Sequence, residues 1–262
     1  TGENAADQGT AGGAVLLHST GAGAITLLGD ITASGGNTTA GTNDGGDAGV
    51  ITVRNDSGSI LIDDVTATGG TSAGGTAGAD GTIQLSATTT IAQQAATDIT
   101  AADGNLKLVS TGGDVTLNNV TNTVAIVAAD LTGASSLSYT DADGLSIGMI
   151  AQAGTGNAQL AAETGIVATG ADETVTVTSL TGQLTVDDVI TTTSGNVELM
   201  ATAGALLIDA AVTTTAGTAT LTAGTTITST AAGTITTTGE NAADQGTAGG
   251  AVLLHSTGAG AI

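Results

Sequence analysis

Carboxylates are the only reactive side chains this 262-residue sequence offers in quantity, with 24 Asp and Glu against two Lys and Arg and a net charge of −22. Two adjacent pairs stand out, Asp63-Asp64 and Asp187-Asp188. A further group, Asn43, Asp44 and Asp47 with Asp80, lies in glycine-rich stretches. Doubled acids suit a hard cation, and calcium takes several carboxylate, carbonyl and water oxygens. Calcium is therefore the one cofactor the sequence suggests, though none is required. Its candidate ligands are Asp63, Asp64, Asp187, Asp188, Asp44 and Asp47. The competing reading is structural, because Asp and Asn side chains also bond nearby backbone amides in turns. A column of Asp30, Asp64, Asp98, Asn119 and Asp188 at equivalent positions fits both readings, since carboxylates stacked about 4.8 Å apart repel unless something offsets their charge. The stretch Gly74-GTAGAD is one residue too long for the calcium-binding nonapeptide and occurs once.

Other chemistries find less support. A polysaccharide lyase needs a base beside its acids, yet Arg54 and Lys107 fall in different repeats and read as solvated. A glycoside hydrolase needs two carboxylates about 5–9.5 Å apart across a cleft, a spacing that repeated acids meet by accident. Aromatic sugar platforms are missing: there is no Trp or Phe, and Tyr139 is the one aromatic residue. His18 has no Ser-Asp or metal partner near it in the chain. No catalytic or cofactor-binding residues are expected, and the chain does not read as an enzyme. The charge excludes nucleic acid, whose phosphates need clustered Lys and Arg, and disfavours an anionic membrane surface. No apolar run of about 18 residues would span a bilayer. The lack of cysteine fits any redox compartment.

What must position the acids is a repeat. Residues 238–262 repeat residues 1–25 letter for letter, 237 residues further on. Residues 1–237 therefore read as one full tandem unit and 238–262 as the start of the next, and Thr1 as an arbitrary phase in a longer polypeptide. Within that period a Gly followed by a short alternating strand recurs, as in Gly13-AVLL, Gly49-VITV, Gly81-TIQL, Gly104-NLKL, Thr123-VAIV, Gly156-NAQL, Glu173-TVTV, Gly195-NVEL and Gly217-TATL. Each recurrence divides into three strands of roughly five residues separated by tight turns. Strands this short, without hairpin turn dipeptides between them, pair coil on coil in parallel. The fold class expected is all-β, a parallel β-solenoid (right-handed β-helix) with about nine three-strand coils per 237-residue repeat. At about 4.8 Å per coil, one repeat would advance the axis by roughly 43 Å.

Three long insertions follow third strands, at residues 34–49, 68–81 and 238–250, and read as loops projecting from one edge. The coil at 123 is irregular and carries Tyr139 and Met149. Outward threonines spaced two apart, at Thr32/Ser34, Thr66/Thr68, Thr121/Thr123, Thr213/Thr215 and Thr236/Thr238, form a second column opposite Ile31, Val65, Val120, Val212 and Ile235. Such an array would suit ice or glycan binding, or serve as a plain hydroxyl ladder.

The run GNVELMATAGALLIDAAVTTTAGTATLTAGTTIT, residues 195–228, resembles the central repeats of filamentous-haemagglutinin-type exoproteins and related giant bacterial adhesins. That resemblance implies a secreted, extracellular or cell-surface right-handed β-helix, exported through a dedicated outer-membrane partner. The expectation is a structural block of a long acidic fibre, an adhesin stalk or surface filament giving reach and rigidity. Its partners would be neighbouring copies end to end, and other fibres or host and surface glycans. A ligand-binding surface along the threonine face is the alternative.

Overall fold

Short strands and glycine turns alternate throughout, as the period-two pattern predicts, and no helix occurs among the described residues. The computed structural model describes residues 1–5, 8–133, 135–154, 159–239 and 248–258. Each turn of chain lays one short strand on each of three faces, and the next turn lays its strands above them, parallel and in register. The first face begins with Val15–Ser19, Ile51–Asn55 and Thr82–Ala87 and continues through residues 105–110 and 126–131. The second carries Ile25–Thr26, Ile60–Ile62, Ile91–Gln93, Val115–Leu117 and Leu137–Asp141. Ile31–Thr32, Val65–Thr66 and the openings of the long strands Ile99–Ser110 and Thr123–Leu131 make the third. The chain is a parallel β-solenoid.

Val, Ile and Thr fill these strands because β-branched side chains fit a pleated ladder. Alternate residues turn inward, so that Ile51, Ile83 and Leu106 form one interior rank and Val53, Leu85 and Leu108 the next, all fully buried. Burying each such side chain contributes about 1.5–3 kcal/mol. One coil alone could bury none of them, so the stack is the unit of stability. Corners repeat a device of their own. An inward hydroxyl at a strand end donates to a glycine carbonyl three residues on: Ser110 to Gly113 at 2.5 Å, Thr192 to Gly195 and Thr214 to Gly217 at 2.7 Å. Thr237 makes the same bond to Gly250 at 2.7 Å, with an insertion between them.

Above residue 131 the sequence pattern moves to another face. Thr174–Ser179, Asn196–Ala201 and Ala219–Ala223 resemble the long strands of the first face, yet they stack on Leu137–Asp141 and occupy the second. The first face is continued instead by Ile166–Ala168, Ile190–Thr192, Val212–Thr215 and Ile235–Thr238. The third is continued by Leu145–Ile147, Leu184–Val186, Leu206–Ile208 and Ile227–Ser229. Val252–Ser256, identical in sequence to Val15–Ser19, therefore pairs with Ala219–Ala223 on the second face. It lies eight turns and one face beyond its twin. The expected nine or so coils become eight and a third, an advance of about 40 Å at ~4.8 Å per coil.

The strand expected at 156–160 falls at residues 155–158 outside the described residues. Leu160, its described end, forms an antiparallel bridge with Ala153. Both belong to an excursion in which Met149–Ile150 pairs antiparallel with Glu163–Thr164. The chain leaves the ladder at Gly148, whose N–H donates to Val127, and returns at Gly165, whose carbonyl accepts from Ala129 at 2.9 Å. The excursion thus fits into a gap one residue wide. It folds over the first face, where Gln84 and Lys107 point outward and yet are fully buried. Gln84 Nε2 donates to the Ala153 carbonyl at 2.9 Å, and Lys107 Nζ to those of Ala151 and Ala161 at 3.0 and 2.6 Å.

The described insertions leave the edge between the third and first faces, as expected, but they do not project freely. Their backbones stack, along with residues 1–5 and 8–12, into a second layered body. Gly36 N–H donates to Thr10, Gly46 to Gly36, Gly70 to Gly46 and Gly78 to Gly70, at 2.8–2.9 Å. The segments approach so closely that a β-carbon on Gly70 would stand 2.0 Å from the Gly36 carbonyl oxygen, and one on Gly46 2.0 Å from that of Thr10. Glycine content here reflects backbone-to-backbone packing.

Candidate functional site

The acids separate into three environments. Asp30, Asp63 and Asp64 sit in the turns between the second and third faces, and one carboxylate oxygen from each lies within 4.8 Å of the others. Asp64 Oδ1 also accepts the Asp98 N–H at 2.5 Å, and Asp98 in turn accepts the Thr121 hydroxyl. This triad is the arrangement best suited to a hard cation among the described residues, with water completing the six to eight oxygens calcium takes.

Asp187 and Asp188 lie elsewhere, in the turn from the third face to the first, because the pattern has changed faces by then. Their N–H groups both donate to the Ile147 carbonyl, at 2.9 and 3.0 Å. The column Asp30, Asp64, Asp98, Asn119, Asp188 is therefore not one column in space. Asn119 leaves it for a local reason as well: its side-chain amide donates to the Gln94 and Thr97 carbonyls at 2.7 and 2.8 Å, and Thr121 takes the place beside Asp98. Val120, expected inward, is 62% exposed, and Asn122 is buried in its stead.

Loop acids form the third environment. Asp44 accepts the Thr76 N–H at 2.7 Å and Asp47 accepts that of Ala79 at 2.8 Å. Asp80 accepts from Gly69 at 2.6 Å and Asp103 at 2.9 Å. Each carboxylate ties its own insertion to a neighbouring segment, so these are turn-ladder acceptors. Asn4, Asn37 and Asn196 do the same work with neutral amides, bonding Asn37, Thr71 and Thr218 N–H at 2.7, 2.7 and 2.8 Å.

The basic residues are not simply solvated. Asp56 binds His18 Nε2 at 2.8 Å and Arg54 Nε at 2.5 Å, which gives His18 an acidic partner the sequence did not reveal. The His18 hydrogen bond first, then Arg54, holds the Asp56 carboxyl below its usual range. Lys107 lies under the excursion, and burial lowers its pKa against the opposing charge of Glu163. The Asp56 cluster opens onto a groove lined by Thr88, Gln159 and Leu160.

Inside the solenoid, Tyr139 takes the interior rank between Leu117 and Val177. Its hydroxyl donates to Asp141 Oδ2 at 2.8 Å, and the same oxygen accepts Val124 N–H at 3.0 Å. Burial, and then the Asp143 carboxyl beside it, push Asp141 up to about 7, while Tyr139 and the amides hold it back. Nothing in the spacing of these residues marked them as a buried pair.

The outward threonines divide between faces. Thr32, Thr66, Thr100 and Thr123 stack on the third, whereas Thr191, Thr213 and Thr236 stack on the first. On the second face, Glu198 interrupts Thr176 and Thr220, and Met200 interrupts Thr178 and Thr222. Among the described residues no helix is long and apolar enough to cross a membrane. No family model, curated protein or solved structure matches the chain.

Proposed function

We propose that this chain is a structural block of a long extracellular β-solenoid fibre, an adhesin stalk or surface filament whose work is reach and rigidity. The observation that carries the reading is the seat of the second copy. Val252–Ser256 continues the ladder on Ala219–Ala223 in register, from Ala219↔Val252 to Ala223↔Ser256. Copies then join through the same backbone ladder that joins coils within a copy, and an open strand edge at either end is covered by a neighbour. The acidic surface favours solubility and keeps parallel fibres apart. The resemblance of residues 195–228 to exported adhesin repeats supports an extracellular setting. Lateral contacts, with other fibres or surface glycans, would fall to the stacked loops, and calcium to Asp30, Asp63 and Asp64. An ice- or glycan-binding threonine face has weaker support, because its ranks lie on different faces and are interrupted. Electron micrographs of the native material test the proposal: thin unbranched fibres are expected, and compact particles would refute it.

A further inference from the structure

Resting on the fibre reading, we infer that successive 237-residue copies are turned by one face of the solenoid, about a third of a turn, so that equivalent surfaces return to the same side only every third copy. The mating surface for each copy is the end of another copy of the same sequence, held in that turned orientation.

The inference follows from where two identical segments lie. Val15–Ser19 opens the first face and Val252–Ser256 extends the second. A repeat that lays down a whole number of turns would return its copy to the starting face. This one lays down one strand more. Elsewhere two short strands separate successive long ones, as Leu206–Ile208 and Val212–Thr215 separate Asn196–Ala201 from Ala219–Ala223. Between residues 126–131 and Thr174–Ser179 three strands join the ladder, Leu137–Asp141, Leu145–Ile147 and Ile166–Ala168, besides the antiparallel pair of the excursion. The extra strand is absorbed at Thr123–Leu131. Below it, residues 126–131 all pair with one strand; above it, 126–127 carry Leu145–Ile147 and 129–131 carry Ile166–Ala168. The excursion of residues 149–164 leaves and rejoins between those two partners.

The next copy begins in its turned position within this chain. Ile235–Thr238 ends on the first face, Gly250 closes the Thr237 corner, and Val252 opens the second. The register places Val252 above Ala219 and Leu254 above Leu221, in line with the second-face ranks, whereas Val15 and Leu17 stand in line with Ile51 and Val53 of the first. In the first copy the glycine-packed insertions leave the edge between the third and first faces. In the second, the equivalent insertion starts after Thr238 on the first face and is followed by Val252 on the second. A ridge of packed loops, with the acid triad of its copy beside it, would step around the fibre and recur on one side every three copies, about 120 Å at ~4.8 Å per coil. Whatever the ridge contacts would be met from three directions rather than along one seam.

The test is helical reconstruction from electron micrographs of a polypeptide carrying six consecutive copies of residues 1–237. The expected result is a rise of about 40 Å per copy with a rotation near one third of a turn, offset by accumulated twist. A rise near 43 Å with every ridge in one line would overturn the inference and leave the fibre reading intact. Particles without filaments would overturn both. A second measurement needs only the present chain, which has no cysteine. Thr220→Cys with Leu253→Cys should oxidise to an intramolecular disulfide, because these outward residues are direct partners. Thr236→Cys with Leu253→Cys should not. The reverse outcome contradicts the turned seat directly.

Discussion

Residues 15–87 and residues 174–223 build the same kind of coil from very different lengths of chain. In the lower part, paired residues on one face stand 36 and then 32 apart, as Val15↔Ile51 and Ile51↔Ile83 do. In the upper part, Val175↔Val197 and Val197↔Ala219 stand 22 apart. The additional residues are the glycine insertions, which pack on one another by backbone contact and leave the apolar ranks unchanged. A bare coil of 22 residues is thus sufficient for the ladder. The insertions form a second body stacked in step with it, held by amide-to-carbonyl bonds and by Asp and Asn side chains instead of by apolar burial.

The largest effects should come from the interior and should be alike in both parts. Leu199→Ala above and Leu85→Ala below each remove a fully buried side chain. Each should cost about 2–5 kcal/mol in urea unfolding. A much milder Leu85→Ala would mean that the insertions, and not the ladder, hold the lower part together. Gly70→Ala should separate the two bodies. Its β-carbon would meet the Gly36 carbonyl oxygen at 2.0 Å, a strain of about 1–3 kcal/mol. Hydrogen exchange should then quicken at the Gly46 and Gly78 amides and stay slow at Leu184 and Leu206. Equal quickening at all four would join the two bodies into one cooperative unit.

A pH effect marks the junction between the parts. The Asp141 carboxyl, raised to about 7 in the folded chain from an ordinary aspartate value of 3.8, binds its proton more tightly when folded. Its contribution is complete below about pH 4 and is lost as the pH rises through about 7. Thermal midpoints should therefore fall between pH 5 and 8, and Asp141→Asn should flatten that fall. An unchanged slope in the variant would assign the loss to general repulsion among the acids. Calcium should have the smallest effect. A millimolar site at tenfold excess contributes about 1.4 kcal/mol. If the triad is that site, Asp63→Asn should abolish the calcium-dependent rise in midpoint and Asp44→Asn should not. A midpoint that never responds to calcium or chelator would leave Asp30, Asp63 and Asp64 as turn residues only.

Much of this architecture is written in alternation and in glycine spacing, which report local geometry directly. Val197, Leu199, Leu206, Ile208 and Val212 are inward as their pattern requires. The change of face was not legible, because a coil pattern records the order of strands and not the face each one meets. Aligning Asp188 with Asp64 followed from that gap. The inward Thr192 and Thr214 had a signal, a hydroxyl residue three before a glycine, which also marks Ser110 and Ser179. Lys107 and the His18–Asp56 pair left no such trace, since their partners lie 44, 54 and 38 residues away in the chain.

Cross-linking at the junction tests the face change most directly. Ser138 and Thr176 are direct outward partners on the second face. Had the pattern kept its faces, the strand above Ser138 would be Leu184–Val186, and Thr185 would stand in that place. With no native cysteine to interfere, Ser138→Cys with Thr176→Cys should form a disulfide on mild oxidation and raise the thermal midpoint, the separation of adjacent strands being within disulfide reach. Ser138→Cys with Thr185→Cys should remain reduced. A disulfide in the second pair and none in the first would contradict the change of face and leave a repeat of eight whole coils.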